Sequence, residues 1–171
     1  MAPAVVRLGP GHADEYRELM LQGYAQHPEA FTSSAEERAA LPAAWWAARV
    51  APGEEAPERV YATFADGVLA GVAGLRFEHG EKTRHKATLY GMYVPPAFRQ
   101  RGFGRALVQA VLEAAAAHPG TRLVQLTVTD VNAAARRLYE RCGFVAYGTE
   151  PMAMRVGEGF VAKILMWKEL A

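Results

Sequence analysis

The sequence predicts an α/β (α+β) chain built on a mixed, mostly antiparallel central sheet of six to seven strands flanked by about four helices. Two observations carry this prediction. Two apolar, β-prone runs, Arg59 to Phe64 and Val68 to Phe77, are joined by Asp66-Gly67, the dipeptide that most strongly signals a hairpin. Further on, a strand stopped by Pro95-Pro96 is followed by a helical run and then another strand. A strand–helix–strand passage inside an antiparallel meander requires a mixed sheet with helices on both faces. At 171 residues, 51% apolar and 22% charged, the chain suits one domain over residues 1–171 with a real core.

The elements follow in order. Ala4 to Leu8 is short and β-prone. Gly11 to Gln26 carries Tyr16, Leu19, Met20 and Tyr24 at helical spacing, and His27-Pro28 ends it. Ser34 with Glu37 three residues on has the form of a capping box, opening a helical stretch to about Val50 that Leu41-Pro42 splits in two. Trp45 and Trp46 are adjacent there, so both cannot face the core. Ala51 to Pro57 reads as a surface loop. After the hairpin, His79 to Arg84 is a polar turn and His85 to Val94 a strand. Gly102 to His118 is a helix carrying Leu107, Val108, Val111 and Leu112, closed by Pro119-Gly120. In the strand Arg122 to Thr129, Leu123, Gln125 and Thr127 alternate with Val124, Leu126 and Val128. Asn132 to Arg141 is a short helix ended by Gly143. Phe144 to Tyr147 and Phe160 to Trp167 are expected as closing strands around a long turn.

Bulk properties narrow the function. A net charge of +1 gives no electrostatic pointer to a nucleic-acid or membrane partner, and neither is expected. The one cysteine, Cys142, permits no intrachain disulfide and no cysteine-based zinc site, so no metal is implied. Met1 to Pro10 lacks the apolar region of a signal peptide, and no window approaches the roughly 18 apolar residues of a membrane span. The expectation is a soluble, cytoplasmic protein, a monomer or homodimer.

Val94 to Leu107 carries the chemistry. Past the two prolines, Arg99-Gln100-Arg101-Gly102-Phe103-Gly104-Arg105-Ala106 opens a helix. Glycine at 102 and 104 lets the backbone approach a ligand closely. The first helical turn has unsatisfied N–H groups and a partial positive charge, and three arginines add full charges. That suits a diphosphate-binding turn, although a lone Gly-x-Gly reads equally as a glycine-containing helix start with surface arginines. It is no Walker A loop, since the lysine and hydroxyl are missing, and no dinucleotide fingerprint, since Leu107 stands where a third glycine belongs.

Arg99-x-x-Gly102-x-Gly104 resembles the acetyl-coenzyme A motif of the GNAT superfamily of N-acetyltransferases, Arg/Gln-x-x-Gly-x-Gly/Ala. A second element of that family follows at the expected interval, Asn132-x-x-Ala135-x-x-Leu138-Tyr139-x-x-x-Gly143-Phe144. The likeness covers roughly residues 60 to 147 and implies a GNAT-like acyl-CoA N-acyltransferase fold. It also implies that backbone N–H groups of Arg101 to Ala106, within the segment Arg99, Gln100, Arg101, Gly102, Phe103, Gly104, Arg105 and Ala106, bind the diphosphate of acetyl-CoA. Met92, Tyr93 and Val94 would pair with the pantetheine arm, one of their N–H groups polarising the thioester carbonyl. Asn132 would hold the pantetheine or cap its own helix. Tyr139 would bind the cofactor end and protonate the departing thiolate; as a bare sequence feature it is also a core tyrosine on an amphipathic helix. Cys142, with no paired histidine, is a bystander.

No general base is evident. An amine attacks only when neutral, and a lysine-like amine must lose its proton at a cost of about 4 kcal/mol at neutral pH. Relatives that modify histones place a glutamate on the strand before the motif, where this chain has Ala87-Thr88-Leu89-Tyr90. Glu78 and His79 are the nearest titratable residues and read better as turn residues. An α-amino group needs less help, which favours a small molecule or a peptide N-terminus as acceptor. Phe31, Trp45, Trp46 and Met152 to Phe160 are expected to line the acceptor cleft, with Glu36, Glu37, Glu150 and Glu158 as its available acids. Two other readings stand beside this one: an aminoglycoside-type, antibiotic-modifying acetyltransferase, and a non-catalytic acetyl-CoA-binding regulatory module.

Overall fold

Asp66 and Gly67 both take positive φ, 51° and 77°, the left-handed pair that a two-residue hairpin requires. They join β2 (Glu58–Ala65) to β3 (Val68–Phe77) in a computed structural model that describes residues 2–171. β1 (Val6–Arg7) pairs with β2, and β4 (Lys86–Tyr93) continues the antiparallel meander. The chain then crosses through α4 (Phe103–Ala117) to β5 (Leu123–Thr129), which pairs parallel to β4. After α5 (Ala133–Arg141), β6 (Val145–Val156) and β7 (Gly159–Glu169) complete a seven-stranded sheet ordered β1-β2-β3-β4-β5-β7-β6. Before β2 come α1 (Ala13–Gln26), α2 (Ala35–Ala39) and α3 (Ala43–Arg49), making five α-helices among the described residues.

Strand alternation assigns the helices to faces. Ala73, Leu75 and Phe77 of β3 share one core with Leu107, Val108 and Val111 of α4 and with Val124, Leu126 and Val128 of β5. Val72 of β3 points the other way, into a second core with Tyr16, Met20 and Tyr24 of α1 and Trp46 of α3. The tryptophan pair divides as its adjacency dictates: Trp46 is buried, and Trp45 packs edge-on against it, half-buried. Ser34 and Glu37 form the reciprocal capping box of α2, Oγ and Oε2 each accepting a main-chain N–H at 3.1 Å.

The closing hairpin differs from expectation. β6 runs twelve residues and its link to β7 is tight, with Val156 paired to Gly159. The stretch read as a long turn is strand, because Pro151 and the register shift between Glu150 and Met154 lie on an edge strand with one ladder partner. A proline is tolerated there, since an edge N–H has no second neighbour to serve.

Leu107 fixes α4 against β3, its side chain fully buried above Gly71. Leu107→Ala is expected to lower the free energy of unfolding by about 2–5 kcal/mol in urea titration. A loss below about 1 kcal/mol would contradict this placement of α4.

Candidate active site

β4 and β5 pair only at Lys86 with Leu123, Ala87 with Val124 and Thr88 with Gln125. Beyond Thr88 and Gln125 they diverge, so Leu89–Tyr93 and Leu126–Thr129 form the arms of a fork. The sequence supplies a cause in Gly91. Between Gly74–Tyr90 and Val72–Tyr93, β3 advances two residues and β4 three, a bulge in which Gly91 has φ 55°. A bulge with a left-handed glycine bends its strand and breaks the ladder locally.

The fork opens into a cleft of about 920 Å³ bounded by β4, the start of α4 and α5. The α4 side is built from conformations that glycine permits. Gln100 and Gly102 have φ 62° and 80°, and Gly102 is the N-cap. The first helical bond runs from Ala106 N–H to Gly102 O at 3.1 Å, so the N–H groups of Phe103, Gly104 and Arg105 lack an intrahelical acceptor. At Gly104 a Cβ would stand 3.0 Å from Leu138 Cδ2 and 3.3 Å from Met92 Cε, so glycine lets α4, α5 and β4 converge. Arg99, Arg105, Arg137 and Arg141 line this cleft against one carboxylate, Glu29. Positive side chains, a helix N-terminus and free amides suit a diphosphate.

Most of the residues singled out from the sequence come together here. Met92, Tyr93, Val94, Arg99, Gln100, Gly102, Phe103, Gly104, Arg105, Asn132 and Tyr139 all line the cleft. Arg101 and Ala106 do not: the Arg101 guanidinium lies over Phe103 at 5.2 Å, outside it. Arg99 ties the loop down, Nε donating to Val94 O at 2.9 Å. Asn132 caps α5, its Oδ1 accepting Ala135 N–H at 3.3 Å, which leaves the side-chain NH₂ for a ligand. His27, Phe98, Val131, Arg137 and Arg141 were not anticipated: Phe98 and Val131 flank the two motifs, Arg137 and Arg141 stand at unspecified positions of the second, and His27 comes from the end of α1.

Tyr139 is buried on α5, and its hydroxyl donates to Met92 Sδ at 3.6 Å. Burial, aided by the neighbouring Cys142, pushes its phenol well above the usual 10.0. It therefore holds its proton at neutral pH against a thioether, a weak acceptor readily exchanged for a better one. Burial also pushes the Cys142 thiol up, opposite to what a nucleophile needs. Among the described residues, no group of three or more His, Cys, Asp or Glu is placed to hold a metal, and no helix is long and apolar enough to cross a membrane.

A second cleft of about 450 Å³ shares Ala30, Phe31, Leu89, Tyr90, Gly91 and Thr127 with the first. The two therefore meet at the fork. Of the residues expected to line the acceptor cleft, Phe31 lines this second one, whereas Trp45, Trp46 and the stretch 152–160 do not; of the two nearest titratable residues, Glu78 lines it and His79 does not. Trp46 belongs to the core, and Met152 and Phe160 project to solvent from the β6–β7 hairpin.

The sequence model described as "Acetyltransferase (GNAT) family" matches residues 17–144. Streptothricin acetyltransferase of Streptomyces lavendulae is 35% identical over 101 residues, 58% of this chain and 51% of that protein, so the match spans about half its length. The structure of a GCN5-related N-acetyltransferase from Kribbella flavida aligns with a TM-score of 0.82 at 24% identity, covering 99% of this chain and 98% of that one. The yncA structure from Salmonella typhimurium, solved with its cofactor acetyl-CoA, aligns with a TM-score of 0.81 at 19% identity over 100% of this chain and 95% of that one. At such identities the structural likenesses speak for the fold.

The burial of Tyr139 has a spectroscopic consequence. An ordinary tyrosine is half ionised near pH 10. The difference in phenolate absorbance between the unmutated protein and Tyr139→Phe should be near zero at that pH. A contribution of half a phenolate would contradict the raised pKa.

Proposed function

Since the chain belongs to the acetyltransferase (GNAT) family, we propose that it transfers acetyl from acetyl-coenzyme A to a primary amine of a small molecule or peptide N-terminus. The observation that carries this reading is the forked sheet, with free amides of α4 at one end of the cleft and a protonated Tyr139 along it. The chain's residues fit the carrier: Gly102 and Gly104 keep side chains out of the turn, and the lining arginines supply positive charge. Acetyl-coenzyme A supplies an acetyl thioester, whose C–S bond breaks as the acceptor nitrogen's lone pair forms the new C–N bond; nitrogen loses one proton and sulfur gains one.

The residues divide that work. The N–H groups at Phe103 to Arg105 hold the diphosphate, and Arg105 adds charge to the same turn. The unladdered edge of β4 from Leu89 to Tyr93 offers main-chain groups to an extended, amide-containing arm, as an added strand would use them. An N–H of that edge orients the thioester carbonyl. Tyr139, protonated at neutral pH, delivers its proton to the leaving sulfur. The acceptor enters from the second cleft and meets the thioester at Gly91.

The similarity to a streptothricin acetyltransferase favours a second reading, an antibiotic acceptor. Glu36, Glu37, Glu150 and Glu158, the acids a polycationic drug would call on, line neither cleft.

Gly102→Glu should abolish acetyl-coenzyme A binding in calorimetry, through negative charge and a side chain forced to φ 80°. Undiminished affinity would reject the assignment. Tyr139→Phe should lower kcat by about 10²-fold or more while leaving cofactor affinity nearly unchanged. An unaltered rate would remove Tyr139 from the mechanism.

A further inference from the structure

The second cleft carries a charge pattern that the transfer reaction does not explain. Its walls include Tyr24, Phe31, Tyr90 and Tyr147, with Arg38, Arg76 and Glu78 as its charged members. Among the described residues, neither arginine has a carboxylate within ion-pair distance; the four salt bridges lie elsewhere. Nor does either donate a side-chain hydrogen bond, and Arg38 Nε is buried without a partner among them.

Aromatic rings hold these guanidinium groups in place. The Arg38 guanidinium lies over Trp45 at 4.5 Å, and that of Arg76 over Tyr90 at 5.1 Å. Stacking fixes the plane of a guanidinium and leaves its N–H edge free, the arrangement that receives a planar carboxylate. A third arginine, Arg49, is buried beneath, between Trp45 at 4.2 Å and Tyr90 at 4.8 Å. It donates to Tyr16 Oη at 3.2 Å and reinforces the positive potential under the cleft floor. Two acids oppose the three cations: Glu78 in the wall, and Glu58, which faces Arg76 across the β2–β3 ladder. The balance is positive by one, and the edges of Arg38 and Arg76 are unclaimed.

We infer that the acceptor is a small amine that also carries a carboxylate, gripped by Arg38 and Arg76 in the second cleft with its apolar body against the tyrosines. This deepens the acetyl-transfer reading and rests on it. The cleft's size sits at the low end of ligand pockets, about 300–1,000 Å³, and suits a molecule of amino-acid dimensions. With the carboxylate at the arginines, the amine reaches toward Gly91, where the clefts meet. Its lone pair then forms the bond to the acetyl carbon as the bond to sulfur breaks, and the product is an N-acetyl acid. A polycationic acceptor would instead bring like charge against both arginines.

The test compares coenzyme A release across three matched sets: free L-phenylalanine, L-leucine and L-methionine; their amides; and their decarboxylated amines, each corrected for its neutral-amine fraction. The acids should exceed both other sets by about tenfold or more in kcat/KM, chiefly through lower KM, as loss of a charge-assisted hydrogen bond dictates. Arg38→Gln and Arg76→Gln should each cut that preference by about tenfold, while Arg155→Gln, on the exposed face of β6, should preserve it. The unmutated comparison decides alone if either variant misfolds. Amides or decarboxylated amines used as well as the acids, no turnover of any set, or a preference untouched in both folded variants would overturn the inference. Calorimetry with acetyl-coenzyme A separates the two levels: absent binding overturns the transfer reading itself, whereas binding without a preference for acids overturns only the acceptor class.

Discussion

Parting of β4 from β5 after three paired residues is the constraint on which the rest depends. A parallel pair continued to Tyr93 and Thr129 would seal the sheet and leave no slot between α4 and α5. The bulge at Gly91 prevents this. It gives β4 one residue more than β3 and turns the strand at a glycine whose φ of 55° other residues rarely adopt. The unpaired edges are stable only where another polar chain or water can serve them. The sheet thus lacks a segment of ladder between β4 and β5.

Close packing next to the fork brings the helix end into play. Gly104 lets α4 approach Leu138 and Met92, and Met92 in turn accepts the Tyr139 hydroxyl. The free N–H groups of α4, the strand edge and the phenol are therefore coupled through two contacts rather than assembled separately. The helix N-terminus carries roughly half a positive charge, and arginines on both α4 and α5 augment it. Those arginines lie on exposed positions around the rim, where their charge carries none of the desolvation cost of a buried ion.

Sequence reading succeeded where one local rule decides the outcome. Asp66-Gly67 forced a hairpin, Ser34 and Glu37 announced a helix start, and the paired motifs around Gly102 and Asn132 marked residues that line one cleft. It failed where composition and context disagreed. The stretch between Tyr147 and Phe160 was expected as a long turn, yet an edge strand absorbs both Pro151 and register shifts, so β6 runs on to Val156. The second cleft was the other gap. Arg38, Arg76, Tyr90 and Tyr147 come from α2, β3, β4 and β6 and meet only when the sheet closes. Trp46, expected there, fills the core beneath α1. No spacing rule links residues so far apart in the chain.

One titration addresses the central claim: main-chain amides of the α4 N-terminus grip a diphosphate while the fork takes the arm that follows it. Backbone amide resonances can be followed against coenzyme A and, separately, against pantetheine, which has the arm without the diphosphate. The account predicts that coenzyme A shifts Phe103, Gly104 and Arg105 together with Leu89 to Tyr93, whereas pantetheine shifts the β4 group alone. Resonances of Phe103 to Arg105 that stay fixed under saturating coenzyme A, or that move equally with pantetheine, would contradict it.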